Sequence, residues 1–315
     1  MTNRADPSVI SGLLEDPKNL PTWLLYDDVG SELYRQITGL PEYYLTRAEA
    51  EILEHQGDEI ARRASAGASE LSTVELGAGS SEKTELFLRA MVRQRGGCVH
   101  LACDIEAAAL ESGAARLKAS LPSLDVRTFV GTHQAAGVEI AKLPGRQVVL
   151  FIGSSIGNFP DEEAIRLLQG LRRHLREDAF LVLGTDLEKP LARLLPAYDD
   201  SAGVTAAFTL NVLARLNREL GARFDIEAFR HVALWNEVSH NIEIFIESRK
   251  HQQVFVGAGH REIEFAAGER VLLEISAKYD LARVDSLLGP AGFRRAESYF
   301  DAASDFAVHL ARCVV

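Results

Sequence analysis

The chain has 315 residues, of which 47% are hydrophobic and 25% charged, as in a folded globular protein. A chain of this length is too long for a single hydrophobic core of average size, so two lobes are expected. The formal net charge of −11 argues against nucleic acid and anionic membranes as partners, because both require a basic footprint. Small or cationic molecules remain as candidate ligands.

The three cysteines, Cys98, Cys103 and Cys313, do not have the spacing of metal ligands, so no metal is expected. An odd number of thiols, without an apolar leader at the start of the sequence, is typical of a reduced cytoplasmic protein. No apolar run approaches the length of a membrane span. We therefore predict a cytoplasmic monomer with no metal, membrane or nucleic-acid partner.

The amino-terminal part divides into an arm, an aromatic segment and a helix. The first 20 residues are polar and interrupted by proline, which predicts a loosely attached arm. Residues 21–47 are rich in aromatic side chains, but glycine and proline break the periodicity, so a lid or pocket wall is expected. Thr46 followed by Glu49 has the spacing of a capping box and predicts a helix from about 47 to 65.

A glycine-rich turn follows the first strand of the next region. Gly77 and Gly79 allow positive φ and close approach to a ligand, in front of a helix that offers unsatisfied N–H groups. Glu82 stands where the dinucleotide fingerprint requires a third glycine, and its carboxylate would repel a pyrophosphate. The pattern Glu75-x-Gly77-x-Gly79 is similar to the adenosylmethionine loop of Rossmann-like methyltransferases. An ordinary glycine-rich turn is the alternative.

From Leu71 onward strands and helices alternate, which predicts a parallel sheet with right-handed crossovers. The predicted strands are 72–77, 98–104, 125–131, 147–153 and 179–185, and the predicted helices are 82–95, 106–120, 134–142 and 161–176. Open sheets of this kind bind ligands at the carboxyl ends of their strands. Gly77, Asp104, Thr132 and Gly153 fall at that edge.

Two of these strand ends carry polar groups suited to a nucleoside and to an amino acid. Asp104 can accept hydrogen bonds from both ribose hydroxyls, or it can cap the following helix. The segment Gly153–Asn158 contains two glycines and two serines, which leave backbone amides and space for a substrate. Asn158 offers a donor and an acceptor to an amino-acid head group, or it forms an Asx turn before Pro160.

After Asp186 the pattern changes to a long helical region over 187–219, which suits an inserted lobe better than a crossover. The predicted strands of this lobe are 241–247, 252–257, 260–266 and 270–277. Glu274 and Ser276 share one face of the last strand, because side chains alternate along a strand. A helix over 280–288 and a closing antiparallel pair, 293–299 with 306–314, then return to the first lobe. Seven strands with a final hairpin are typical of a Rossmann-like methyltransferase sheet.

Seven segments form a distinctive set: Tyr26–Ser31, Leu40–Tyr44, Glu75–Thr84, Gly153–Asn158, Gly184–Asp186, Tyr198–Asp200 and Glu274–Ser276. Together they resemble the histidine-specific Nα-methyltransferases of ergothioneine biosynthesis, over nearly the whole chain from about residue 20. The resemblance implies an α/β fold, a Rossmann-like class I methyltransferase sheet with a second, substrate-binding α+β domain. The implied substrate-binding domain comprises 1–62 and 197–286, and the implied cofactor domain comprises 63–196 and 287–315.

The resemblance further implies a reaction in which L-histidine is converted to its trimethylammonium betaine, hercynine, by three S-adenosylmethionine molecules, each leaving S-adenosylhomocysteine. The residues it implies for the cofactor are Tyr26, Gly77, Gly79, Lys83, Asp104, Thr132, His133 and Ser154. Those it implies for histidine are Tyr43, Gly153, Asn158, Tyr198, Phe208, Ile244, Glu274 and Ser276. The catalytic set is Tyr26, Tyr43, Asn158 and Tyr198. Which group relays the amine proton stays open.

The residue types agree with this chemistry. Glu274 and Ser276 can satisfy the donor and the acceptor of a neutral imidazole. The alternative is that they form a charged strand edge with a surface serine and bind no ligand. The sequence departs from mycobacterial-type members at two places. Thr132-His133 stands in place of Asp-Phe, so the adenine contact would use a hydroxyl or a backbone group instead. Ile244 stands in place of a methionine of the substrate pocket, which alters the shape of the pocket and its selectivity. The remaining alternatives are methylation of another aromatic amino acid or amine, and a non-catalytic adenosylmethionine-binding module. An NAD-dependent oxidoreductase is disfavoured by Glu82.

Overall fold

The computed structural model describes residues 7–79, 81–257 and 260–314, so Ser80 of the glycine loop and residues 1–6 of the arm lie outside the described residues. The α-helices in this part of the chain are α1 (Pro7–Leu14), α2 (Asp28–Thr38), α3 (Leu45–Ser65), α4 (Glu82–Arg95), α5 (Ala107–Ser120), α6 (His133–Ala141), α7 (Asp161–Arg172), α8 (Leu191–Leu194), α9 (Val204–Leu220) and α10 (Leu281–Leu288). The strands are β1 (Lys18–Asn19), β2 (Leu71–Leu76), β3 (Val99–Asp104), β4 (Asp125–Val130), β5 (Arg146–Phe151), β6 (Phe180–Asp186), β7 (Phe229–Asn236), β8 (Asn241–Ser248), β9 (Gln252–Val256), β10 (Arg261–Phe265), β11 (Arg270–Ala277), β12 (Phe293–Phe300) and β13 (Phe306–Cys313).

The chain forms two compact units. The first unit contains the residues up to Tyr44 and Lys189–Ser276, and the second contains Leu45–Glu188 and the residues from Ala277 onward. These limits differ from the predicted domain boundaries at α3, at α10 and at residues 189–196, which contain α8 and lie in the first unit. Helix α3 packs against α4 and β13, and α10 packs against α7 and β12, so both helices belong to the second unit.

A seven-stranded sheet in the order β12-β13-β6-β5-β2-β3-β4 organises the second unit. Strands β2 to β6 are parallel, whereas β13 is antiparallel to both β6 and β12. All six residues of β2 are buried, as expected for a parallel strand covered on both faces. Chain order reverses between β2 and β5, which are neighbours, and ligands bind at such a switch point. This topology confirms the predicted Rossmann-like class I methyltransferase sheet.

A four-stranded sheet, β1-β11-β8-β7, organises the first unit, and β9 and β10 form a separate hairpin. Helix α9 packs against β7, β8 and α2. The prediction of a loosely attached arm is wrong for the described residues of that segment. Lys18 and Asn19 pair in parallel with Val271 and Leu272, and the Lys18 ammonium pairs with the Glu269 carboxylate.

Two further expectations for the first unit are corrected. The helical region predicted over 187–219 is interrupted between α8 and α9, since Asp200 accepts hydrogen bonds from the backbone N–H groups of Val204 and Thr205 and so begins a new helix there. Strand β7 was not predicted, because most of its side chains are half-buried and show little alternation. Among the described residues, no helix has both the length and the apolar character needed to cross a membrane.

Candidate active site

The glycine loop after β2 leaves open space at the carboxyl edge of the sheet. The N–H groups of Gly77 and Ala78 both donate to the carbonyl oxygen of Cys103, at 2.9 and 3.0 Å, which fixes the turn beside β3. Gly77 and Gly79 have φ values of 73° and 47°, the left-handed region that favours glycine. A Cβ on Gly79 would meet nothing within 4 Å, and one on Gly77 would lie 3.7 Å from His133 Nε2.

Asp104 connects this loop to the end of β3. Its Oδ2 accepts a hydrogen bond from Gly79 N at 2.7 Å, and its Oδ1 accepts one from Glu106 N at 2.9 Å. The capping position of α5 is Glu106, so Asp104 forms a turn before the helix rather than the helix cap. A carboxylate has about four lone-pair sites, so each oxygen retains acceptor capacity for a hydroxyl.

Glu75 lies behind the loop and is 2% exposed. Its carboxyl group accepts hydrogen bonds from the Ser81 hydroxyl, at 3.0 Å, and from the Thr84 hydroxyl. Burial raises the pKa of Glu75 to about 8, because desolvation outweighs the two hydrogen bonds and the nearby Lys83 ammonium. The group is therefore largely protonated in the folded protein near neutral pH.

Glu75→Gln is expected to change how stability depends on pH. A pKa raised from 4.5 to about 8 means that the folded state binds one more proton than the unfolded state between these values. The contribution of Glu75 is thus fully present below pH 4.5 and is lost as the pH rises to about 8. Urea unfolding should show a free energy that falls across this window more steeply in the wild type than in Glu75→Gln. Parallel curves would contradict the raised pKa.

Glu49, a buried glutamate of the second unit, has a different role from the helix cap that the sequence predicts. Helix α3 begins at Leu45, so Thr46 lies inside the helix and the predicted capping box is wrong. The Glu49 side chain is fully buried, pairs with the Lys83 ammonium, and accepts from Gly153 N at 2.8 and 2.9 Å. A Cβ on Gly184 would lie 2.1 Å from Glu49 Oε1, so the glycine makes room for the carboxylate. Glu49 thereby ties the start of α4 to the loop after β5.

The loop after β5 is held in a strained conformation. Ser154 has φ 57°, and its buried hydroxyl accepts a hydrogen bond from Asp186 N at 2.9 Å. Ser81, in the loop after the neighbouring strand β2, also has a left-handed φ of 53°. Strained non-glycine residues persist where surrounding contacts fix them and are concentrated at functional sites. Asn158 ends the short 3₁₀ turn of this loop and is half-buried.

Thr132 and His133 begin α6 at the same edge of the sheet. The Thr132 hydroxyl accepts a hydrogen bond from Ala135 N at 3.3 Å and caps the helix. The His133 ring packs edge-on against Phe151 with 5.2 Å between centroids. Burial lowers the pKa of His133 in spite of the Asp104 charge, so the ring beside Gly77 is neutral.

The first unit contains an aromatic cluster built from both of its chain segments, the one that ends at Tyr44 and the one that begins at Lys189. Tyr34 is at its centre, with ring centroids 5.7 Å from Tyr26, 6.4 Å from Tyr43 and 6.0 Å from Phe208. Tyr26 also packs edge-on against Phe208, at 5.7 Å, and Tyr43 against Tyr198, at 6.4 Å. Edge-on packing is the favoured geometry of aromatic pairs. The aromatic segment, predicted as a lid or pocket wall, contains helix α2, which packs against α9; its role in a pocket stays a prediction.

Hydrogen bonds extend from this cluster to β11. The Tyr198 hydroxyl lies 2.9 Å from Ser276 Oγ, and the Tyr34 hydroxyl lies 3.5 Å from that of Tyr43. Burial, with the neighbouring Tyr34 and Tyr198 groups, raises the pKa of Tyr43 well above its ordinary value, so this phenol stays protonated. Glu274 shares the Ser276 face of β11.

The predicted site residues are divided between the units, and direct contacts join several of them within each unit. The first unit holds Tyr26, Tyr43, Tyr198, Phe208, Ile244, Glu274 and Ser276, and the second holds Gly77, Gly79, Lys83, Asp104, Thr132, His133, Gly153, Ser154 and Asn158. Contacts join Tyr26 to Phe208, Tyr198 to Tyr43 and Ser276, Gly79 to Asp104, and Lys83 through Glu49 to Gly153. Ile244 is buried in β8, the strand beside β11.

Sequence reasoning did not select Tyr34 or Glu49. Tyr34 was visible as one more aromatic residue in a dense segment, but nothing in its spacing distinguished it. Glu49 precedes Ile52 and Leu53 by three and four positions, so it shares the buried face of α3, and a carboxylate on such a face indicates a partner.

The sheet order, the glycine loop and the acidic residue ending the next strand define a Rossmann-like S-adenosylmethionine-dependent methyltransferase. The residues fit this cofactor. Gly79 leaves open space beside the loop, and S-adenosylmethionine has no phosphate, so the third glycine of the dinucleotide fingerprint is not required. Among the described residues, no group of three histidine, cysteine or acidic side chains could hold a metal ion.

A family model for histidine-specific, SAM-dependent methyltransferases matches residues 5–313, and the chain belongs to this family. It is 44% identical to the histidine N-alpha-methyltransferase of Mycolicibacterium smegmatis over 96% of this chain and 93% of that protein. It is also 29% identical to ergothioneine biosynthesis protein 1 of Neurospora crassa, over 94% of this chain and 33% of that protein. A more distant relative, at 28% identity over 95% of this chain and 90% of that protein, is the L-tryptophan methyltransferase trpM of Psilocybe serbica.

Proposed function

We propose that this protein trimethylates the α-amino group of L-histidine to form hercynine, the first step of ergothioneine biosynthesis. The observation that carries the proposal is the 44% identity, over nearly the full length of both chains, to a histidine N-alpha-methyltransferase. The segments that carry the resemblance add support. Two residues from these segments, Tyr198 and Ser276, are joined by a hydrogen bond in the first unit.

The cofactor role is assigned to Gly77, Gly79, Lys83, Asp104, Thr132, His133 and Ser154 of the second unit, and to Tyr26. When bound, S-adenosylmethionine supplies an electrophilic methyl group on a cationic sulfonium. The Asp104 carboxylate would accept from ribose hydroxyls, and the neutral His133 ring would border the nucleoside beside Gly77. Lys83 would face the carboxylate of the amino-acid tail, with Glu49 holding its ammonium in place.

The histidine role is assigned to Tyr43, Gly153, Asn158, Tyr198, Phe208, Ile244, Glu274 and Ser276. Glu274 and Ser276 share a strand face, which allows a carboxylate and a hydroxyl to meet the imidazole together. Asn158 and Tyr198 would bind the substrate carboxylate. A site built to pair both ring nitrogens rejects side chains that leave its buried polar groups unpaired.

The tyrosine cluster limits which groups can act on the amine. A general base is most effective with a pKa near the working pH, and the raised pKa of Tyr43 keeps its phenol protonated. Tyr43, which the resemblance puts near the imidazole ring, would therefore act there as a neutral hydroxyl and an aromatic face, not as the base. The rings of Tyr26, Tyr34 and Phe208 suit a cation without N–H donors, because aromatic faces attract such cations. This is the form of the amine after the third methylation.

We also propose that the protein acts as a cytoplasmic monomer on this small molecule alone. The acidic net charge supports the absence of nucleic acid and anionic membrane among its partners.

Incubation with S-adenosylmethionine and a panel of amino acids and amines tests the function. Mass spectrometry should find histidine carrying one, two and finally three added methyl groups, with tryptophan and tyrosine converted at least about 100-fold less efficiently. Conversion of tryptophan without histidine would replace the proposed substrate with another aromatic amino acid. Cofactor binding without turnover on any substrate would indicate a non-catalytic binding module.

A further inference from the structure

His231, on strand β7, connects two elements that pack against that strand in the first unit. Its Nε2 lies 2.8 Å from the backbone carbonyl oxygen of Tyr198, and its Nδ1 lies 3.0 Å from Thr209 Oγ1 on α9. A carbonyl oxygen only accepts, so Nε2 carries a proton and donates it to Tyr198. This contact fixes the tautomer of the neutral ring, in which Nδ1 is the acceptor.

The bond to Tyr198 is independent of the charge on the ring. Burial lowers the pKa of His231, although the Tyr198 carbonyl and the carboxylates of Asp199 and Asp200 favour the protonated form. In the neutral ring the single Thr209 hydroxyl proton can go either to Nδ1 or to Thr205 O, 2.9 Å away. Protonation would add a proton at Nδ1, which would donate to Thr209 Oγ1 and leave that hydroxyl proton to Thr205 O. The donor at Nε2 is present in both states, so His231 is a permanent tether rather than a pH switch.

Tyr198 is thereby held at both of its ends. It follows the 3₁₀ turn Leu195–Ala197, and its N–H donates to Leu195 O at 2.9 Å. Its carbonyl is fixed by His231 on β7, and its hydroxyl meets Ser276 on β11, at 2.9 Å. Strands β7 and β11 lie on either side of β8 in the same sheet, so Tyr198 spans the width of that strand. The position of the phenol depends on both anchors.

We propose that His231 is a positioning residue for the amino-acid substrate: its Nε2–H fixes the backbone of Tyr198 and so aligns the Tyr198 hydroxyl with Ser276. The inference rests on the proposed function, which assigns Tyr198 and Ser276 to the bound amino acid. Loss of the tether should therefore weaken binding of the substrate and leave binding of the cofactor unchanged.

Two variants of His231 separate its two hydrogen bonds. In His231→Gln the amide nitrogen can occupy the place of Nε2 and keep the donor to Tyr198, whereas in His231→Asn the shorter side chain reaches only toward Thr209. We expect His231→Asn to raise the KM for histidine about 5- to 10-fold, the effect of one neutral hydrogen bond. The KM for S-adenosylmethionine should stay within about 2-fold of wild type, and His231→Gln should restore the KM for histidine.

The proposal is overturned if both variants keep the wild-type KM for histidine. It is also overturned if both variants raise this KM equally and melt at a lower temperature, because that result indicates a purely structural role. A measurement on the wild type needs no destabilised variant: ¹⁵N spectra at neutral pH should show His231 protonated at Nε2, and protonation at Nδ1 alone would exclude the tether. If the wild type methylates a different amino acid, the proposed function fails by itself. The same KM comparison with that amino acid then still tests His231.

Discussion

Gly184→Ala is expected to abolish most of the affinity for S-adenosylmethionine, although Gly184 itself is assigned no contact with the cofactor. The new Cβ would lie 2.1 Å from Glu49 Oε1, so the carboxylate must leave its place between Lys83 and Gly153 N. Removing one partner of a buried ion pair costs about 3–5 kcal/mol. That cost falls on the fold; cofactor affinity falls because the displaced Lys83 ammonium no longer makes its charge-assisted hydrogen bond to the cofactor, which contributes about 1.5–3 kcal/mol, so we expect a loss of about 10- to 150-fold.

Calorimetric titration with S-adenosylmethionine measures this loss, and Gly170→Ala is the matched control. Gly170 lies in α7 of the same unit, and a Cβ there would meet nothing within 4 Å. Alanine is preferred to glycine inside a helix by about 0.5–1 kcal/mol, so this control should bind normally and be slightly more stable. Glu49→Gln should reproduce the loss. Normal cofactor affinity in both Gly184→Ala and Glu49→Gln would show that the carboxylate only supports the fold.

Glu274→Ala is expected to weaken histidine binding about 10- to 150-fold while leaving cofactor affinity unchanged. The estimate follows from a hydrogen bond to a charged group, which contributes about 1.5–3 kcal/mol. Glu274 lies on the Ser276 face of β11, so alanine would leave the imidazole with the hydroxyl alone. The selectivity for histidine over tryptophan should fall in the same proportion, because tryptophan makes no use of the carboxylate.

Competition among labelled amino acids, followed by product mass, measures the change in selectivity. Glu262→Ala provides the control, since Glu262 is an exposed glutamate on strand β10 of the same unit. Unaltered selectivity in Glu274→Ala would remove this residue from the imidazole site and would favour a pocket selected by shape, with Ile244 as its next candidate.

The sequence predicted the second unit more completely than the first. Alternating apolar strands and helices around the glycine loop indicated the parallel sheet, and β2 is as buried as its run of residues suggests. Asp104 was placed at the end of β3, where its carboxylate does meet the loop. These features are local: a few consecutive residues determine each strand end, and parallel sheets bring those ends to one edge.

The missed features depend on partners far away in the sequence. Glu49 has the spacing of a capping box, and only the space above Gly184 and the N–H of Gly153 reveal its actual partners. Strand β7 has a weak pattern because α9 and neighbouring turns cover it incompletely, yet it carries His231. The pairing of Lys18 with Glu269 joins residues 251 positions apart, which no window of local sequence can detect.

The parallel pairing of β1 with β11 has a consequence for biosynthesis. The ribosome must make about 250 further residues after Lys18 before its strand partner exists, which takes about 12–50 seconds at roughly 5–20 residues per second. For about three quarters of that interval the segment Tyr26–Tyr43 lacks the Tyr198 and Phe208 rings that pack against it. The segments of the second unit up to β6 are complete long before. Nascent chains should therefore expose tyrosine-rich surface to chaperones until about two thirds of the chain has been made.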